Sequence, residues 1–157
     1  MSTVEQRLAE LGHSVPEVAA PVAAYVPAVQ HGDLVYTSGQ LPFVDGALPT
    51  TGKVGEGEGL VDPQEAARLA GLCALNAIAA VKSVVGDLDR VVRVVKVVGF
   101  VASDPSFTGQ PKVVNGASEL IGAAFGDAGV HARSAVGVAT LPMDTPVEVE
   151  ITVAVRG

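Results

Sequence analysis

Residues 147–155 read Val-Glu-Val-Glu-Ile-Thr-Val-Ala-Val. The odd positions are all β-branched and apolar, while Glu148, Glu150, Thr152 and Ala154 fill the even ones. Successive side chains of a strand point to opposite faces, so this period of two predicts a half-buried antiparallel strand with Glu148 away from the apolar side. Immediately upstream, residues 134–140 form a second apolar run, joined to the first by Leu-Pro-Met-Asp-Thr-Pro. That spacing predicts two neighbouring strands. Residues 90–102 (RVVRVVKVVGFVA) are harder to read, because Arg90, Arg93 and Lys96 recur every three residues like one face of a helix. Valine dominates the stretch, however, and it loses rotamer freedom in helices while packing well in strands. A strand from about residue 93, carrying a bulge, is the expectation.

Between these runs lie two helix signals. Asp62-Pro63-Gln64-Glu65 combines an N-cap, a proline suited to the first helical position and a capping-box glutamate. The helix should run to about Val85 and stop at Gly86, burying Ala66, Leu69, Ala70, Cys73, Ala77, Val81 and Val84. A second helix is expected from about Gln110 to Phe125, ended by Gly126. Towards the amino terminus, His31-Gly32-Asp33 links two short apolar runs as a hairpin, and a further short strand is expected around 41–44. Residues 45–61 are glycine-rich and read as a long loop, of the kind that is usually functional or mobile. Residues 2–12 predict a short helix, and 13–27, with three prolines, an irregular surface segment. The order is hairpin, helix, strand, helix, strand pair. It predicts one α+β domain over 1–157, a mixed sheet with two helices on one face and a helical extension over about 1–24.

Composition narrows the function. The 157 residues carry 10 Lys+Arg against 17 Asp+Glu, a net charge of −7, and only six aromatic residues. A general binder of nucleic acid or of anionic membranes needs basic surface, so neither is expected as a partner. One cysteine, Cys73, permits no internal disulfide and fits a reducing compartment. With no evident membrane span and no signal-peptide pattern at the start, the expected location is the cytoplasm. The high apolar content and a sheet covered on one side leave the other side for a partner subunit.

Several chemistries find no support. There is no phosphate loop and no glycine-rich dinucleotide fingerprint. His13, His31 and His131 lack metal-ligand spacing with each other or with Cys73, so no metal and no cofactor is expected. Cys73 falls on the core face of its helix, as free cysteines commonly do. Ser38 has no base close in sequence. What remains is Arg133, just before one strand, and Glu148, near the start of the next. If the strands lie side by side, the two side chains can approach each other. They would then form either a strand-end ion pair or a site in which the guanidinium holds a small carboxylate and the glutamate a water.

Here a resemblance enters. His131-Ala132-Arg133-Ser134-Ala135-Val136, then Leu141-Pro142, then Val147-Glu148-Val149-Glu150 resemble the carboxy-terminal signature of the Rid family, the reactive intermediate deaminases also called the YjgF family. Tyr25-Val26-Pro27-Ala28-Val29 and Tyr36-Thr37-Ser38-Gly39-Gln40-Leu41-Pro42 resemble its amino-terminal segments, and Val114-Asn115 a further motif. The matches run in order over roughly residues 25–155, with the first helix and the 45–61 loop as extensions of a longer subgroup. The resemblance implies a chorismate-mutase-like fold in a homotrimer with sites between subunits. It implies that Arg133 binds the carboxylate of a 2-imino acid and that Glu148 positions water, with Tyr25, Ser38, Gly39 and Asn115 lining the site. Two positions depart from the pattern. Ala135 stands where the family often has cysteine, which keeps only the backbone amide, and Ser118 occupies a region where an aromatic is frequent. The implied reaction is hydrolysis of imino or enamine acids to keto acids and ammonia. The alternative is a non-catalytic binder of small carboxylates. An endoribonuclease or translation inhibitor fits less well with an acidic chain poor in aromatics.

Overall fold

A computed structural model describes residues 1–18 and 24–157. Five of the residues expected to be irregular, 19–23, lie outside the described residues. The elements are α1 (Thr3–Glu10), β1 (Ala28–His31), β2 (Leu34–Thr37), α2 (Pro63–Val85), β3 (Val91–Ala102), α3 (Gln110–Phe125), β4 (Ala132–Val138) and β5 (Val147–Val155). They form one mixed sheet in the order β1-β2-β5-β3-β4, which is the α+β arrangement expected. Val147, Val149, Ile151, Val153 and Val155 are all buried, as their alternation requires.

The sheet corrects the reading at its carboxy-terminal end. β4 and β5 are not neighbours, because β3 lies between them, parallel to β4 and antiparallel to β5. The Leu141–Pro146 link is therefore a crossover past β3 and not a hairpin turn; its Met143 and Asp144 both take left-handed backbone conformations. β3 begins two residues earlier than expected, and its register against β5 shifts between Val91 and Arg93 and again between Val94 and Lys96. Each bulge adds an unpaired residue and so stretches the spacing of outward side chains from two to three. That is why the charges at 93 and 96 imitated a helix.

α2 and α3 cover one face. Asp62 caps α2 through Gln64 N–H at 2.7 Å, and Gly86 ends it at φ 76°. α2 has the length and apolar composition to cross a bilayer, but 67% of its apolar window is buried within the fold, as a core helix should be. α2 and α3 cross closely at Gly116, where an added Cβ would fall 2.6 Å from the Ala67 carbonyl carbon. α1 packs against the helix layer, Arg7 reaching the Ala124 carbonyl of α3 and Lys82 of α2 pairing with Glu5, and its first amides sit on the Asp89 carboxylate at 2.8 and 3.3 Å.

Residues 41–44 form no strand. Buried Asn76 on α2 donates to the carbonyls of Leu41 (2.8 Å) and Phe43 (3.2 Å), taking acceptors that a strand ladder would have used. The 45–61 loop is tied down as well. Val54, fully buried, donates its N–H to Ala102 O at 2.7 Å and accepts from Asp104 N–H at 2.9 Å, while Lys53 pairs with Asp144.

Candidate functional site

Arg133 sits on β4, an edge strand of the sheet, opposite Val97 of β3. Val97 is buried under the helices, so Arg133 starts on that same face and reaches α3. There Nη1 donates to Asn115 Oδ1 at 2.7 Å and to Ser118 Oγ at 3.3 Å, and Nη2 donates to the Pro111 carbonyl at 3.3 Å. Residues 111, 115 and 118 are spaced four and three apart and so share one face of α3. Three of the five guanidinium hydrogens are thus held by protein. Among the described residues no acceptor takes the Nε hydrogen or the second hydrogen of Nη2. A held guanidinium with two spare donors is suited to the two oxygens of a carboxylate.

Asn115 joins Arg133 as expected, and Ser118, noted in the sequence only as a departure, joins them. So does His131, the first residue of the signature that carries Arg133. Its Nε2 lies 2.8 Å from Ser118 Oγ, and its Nδ1 lies 2.6 Å from the Gly129 carbonyl. Ala135 follows on β4 opposite Gly99, two residues on from Arg133 and on the same face.

Glu148 belongs to a second cluster. It pairs with Phe100, which pairs in turn with Val136, so the three form a row on the uncovered face of the sheet. Arg133 and Glu148 of one chain therefore lie on different strands separated by β3 and start on opposite faces. The expected direct approach between them is absent. Glu148 instead rests against Gly39, where an added Cβ would fall 2.7 Å from its Cδ. Gly39 is brought there by the bridge between Gln40 and Val149 (N–H to carbonyl, 2.8 and 3.0 Å). Partial burial raises the Glu148 carboxyl above its ordinary pKa, and the charge of Glu150 on the same face adds to the effect.

Ser38 is engaged locally, donating its hydroxyl to Val26 O at 2.6 Å and its N–H to Pro27 O at 2.8 Å. This ties Val26 and Pro27, just after the exposed Tyr25, to the residue preceding Gly39. Burial pushes the Cys73 thiol well above its usual range, which fits packing and not nucleophilic chemistry. Among the described residues no group of three His, Cys, Asp or Glu is placed to hold a metal ion. A cleft is lined by Glu56 of the 45–61 loop together with Phe107, Thr108, Pro111 and Lys112, so that loop shares a surface with the start of α3.

Residues 5–153 match the family model described as "YjgF/chorismate_mutase-like, putative endoribonuclease". The chain belongs to the YjgF/chorismate mutase-like family. Protein TCP17 of Trypanosoma cruzi is 46% identical over 151 residues, covering 96% of this chain and 92% of that protein. The crystal structure of Atu1372 from Agrobacterium tumefaciens superposes with a TM-score of 0.90 at 46% identity, covering 98% of this chain and 93% of that one. E. coli TdcF, crystallised with bound serine, is more distant, with a TM-score of 0.62 at 27% identity over 90% of this chain and 94% of TdcF. Rid membership accounts for the order of the motifs along the chain and for the chorismate-mutase-like sheet.

Proposed function

We propose that this YjgF-family chain hydrolyses small 2-imino or enamine acids to 2-keto acids and ammonia, in a homotrimer whose sites are completed across subunits. The observation that carries the reading is the guanidinium of Arg133, fixed by Asn115, Ser118 and Pro111 with two donors left over. A carboxylate taken there places the adjacent C=N carbon at a fixed distance from the sheet edge. Water adds to that carbon as a proton reaches nitrogen, giving a carbinolamine, and collapse of the new C–O bond to a carbonyl expels ammonia. The group that takes and returns the proton is Glu148, whose raised pKa brings it closer to working pH.

Arg133 and Glu148 of one chain diverge, so the glutamate acting on a given imine comes from a second copy. The uncovered face supports this assembly: Val136 is exposed there in the row of Phe100 and Glu148, and Val29 and Tyr36 are exposed in a second row with Thr152 and Lys96. E. coli TdcF binds serine, an amino acid with the same carboxylate handle, which supports the anchor role of Arg133. It also supports a second reading, a carboxylate binder without turnover, for which Arg133 alone suffices. The endoribonuclease label of the family model fits less well with a net charge of −7.

The test is ammonia release from freshly generated 2-imino acids against a protein-free control. For a deaminase, Glu148→Gln lowers turnover by about ten- to a thousandfold while leaving pyruvate binding nearly unchanged. Wild-type rates equal to the control across several imino acids would establish the binder instead.

A further inference from the structure

We infer that Ser118 and His131 form a one-directional hydrogen-bond relay that orients Arg133 for its ligand. This rests on the carboxylate-anchor reading of Arg133 and adds two positioning residues to it. The direction of the relay follows from which atoms can donate. The Gly129 carbonyl can only accept, so the proton on the His131 ring sits on Nδ1, 2.6 Å away. In the neutral ring Nε2 is then an acceptor, and Ser118 must point its hydroxyl hydrogen at it across 2.8 Å. With that hydrogen committed, Ser118 Oγ offers only lone pairs to Arg133 Nη1 at 3.3 Å. Arg133 thus donates to Ser118, Ser118 to His131 and His131 to Gly129. Each group has one available role, and no hydroxyl rotation is left free.

The relay also has a geometric purpose. Asn115 Oδ1 takes one Nη1 hydrogen at 2.7 Å, and Ser118 takes the other, so the two together fix the plane of the guanidinium as well as its position. Without Ser118 the fork would keep only Asn115 and the longer contact from Nη2 to the Pro111 carbonyl at 3.3 Å, and one Nη1 hydrogen would lose its acceptor. Gly129 lies in the 3-10 turn that follows α3, and His131 immediately precedes β4, so the relay also locks the α3–β4 junction to the side chain it serves.

Two measurements test this on the intact protein. In 15N-histidine spectra at a pH of about 8, above the range in which histidine ordinarily titrates, one neutral ring should show the Nδ1–H tautomer, and its signal should vanish in His131→Gln. If the signal lost in His131→Gln shows the Nε2–H tautomer, the relay is wrong. The second measurement is pyruvate affinity by titration calorimetry. Ser118→Ala and His131→Leu should each weaken binding about three- to tenfold. The double variant should be no worse than the poorer single one, because both break the same chain. Ser118→Thr, which keeps the hydroxyl, and His131→Gln, whose amide oxygen can accept from Ser118, should bind like wild type. If Ser118→Ala and His131→Leu bind as wild type does while Arg133→Ala does not bind, the relay fails and the anchor stands. If Arg133→Ala itself binds pyruvate normally, the anchor reading fails first.

Discussion

Replacing Gly39 by alanine should disable turnover without unfolding the protein. An alanine Cβ at this position falls 2.7 Å from Glu148 Cδ and 3.1 Å from Cγ. Carbon atoms pack comfortably at about 3.5–4.0 Å, so the carboxylate group must retreat by about 1 Å. The obstructing atoms are the far end of a flexible side chain and not backbone, and the adjoining Gln40–Val149 bridge is not touched, so relaxation is cheap. The cost to stability should stay below about 1 kcal/mol. The cost to chemistry should be much larger, since a misplacement of about 1 Å in a reacting group can remove on the order of a hundredfold in rate. Ammonia release at saturating imino acid would read kcat, calorimetric titration with pyruvate would read the anchor, and thermal unfolding would read the fold. The expected pattern is a fall in kcat of about thirty- to three-hundredfold with pyruvate affinity and melting temperature nearly unchanged. A Gly39→Ala protein as fast as wild type would refute the argument that Glu148 works from the position Gly39 allows.

The other expectations can be stated briefly. Gly116→Ala meets the Ala67 backbone and not a side-chain tip, so it should destabilise by about 1–3 kcal/mol or more, measured by denaturant unfolding. Burial raises the folded-state pKa of Glu148, so its contribution to stability is fully present below the unfolded-state pKa and is lost as pH rises through the folded one. Glu148→Gln should therefore melt at a higher temperature than wild type near neutral pH, with the difference closing as the pH falls below the carboxylate range. An equal difference at both pH values would count against a buried, charged Glu148. Sedimentation equilibrium should give a mass near three times 15.8 kDa, and a stable monomer at micromolar concentration would remove the shared site.

Where local chemistry decides structure, the chain could be read directly. The Asp62-Pro63 start of α2, its stop at Gly86 and the alternation of β5 each depend on neighbours within a few residues. What could not be read depends on groups distant in sequence. Asn76 captures the carbonyls of Leu41 and Phe43 from 35 and 33 residues away, and nothing in 41–44 announces that its acceptors are already taken. The placement of β4 is of the same kind. An apolar run, a short linker and another apolar run fit a hairpin as well as they fit a crossover, and only the parallel pairing with β3 decides between them.

The candidate site divides along the same line. Arg133 and Glu148 were legible as residue types at strand ends, and the family resemblance gave them roles, but their geometry was misjudged because it followed from the strand order. With β3 between them and opposite faces of the sheet beneath them, one chain presents, on the proposed reading, an anchor without its glutamate at one edge and a glutamate without its anchor on the open face. A second copy brought against that edge is the simplest arrangement that gives both halves a common substrate. His131 went unread because its chemistry is not its own: it holds no ligand and acts through Ser118. A signal was nevertheless available on α3, where Pro111, Asn115 and Ser118 fall on one face at spacings of four and three. Asn115 and Ser118 are half-buried on a helix otherwise packed by Val113, Val114, Ala117 and Ile121, a setting in which polar side chains find hydrogen-bond partners.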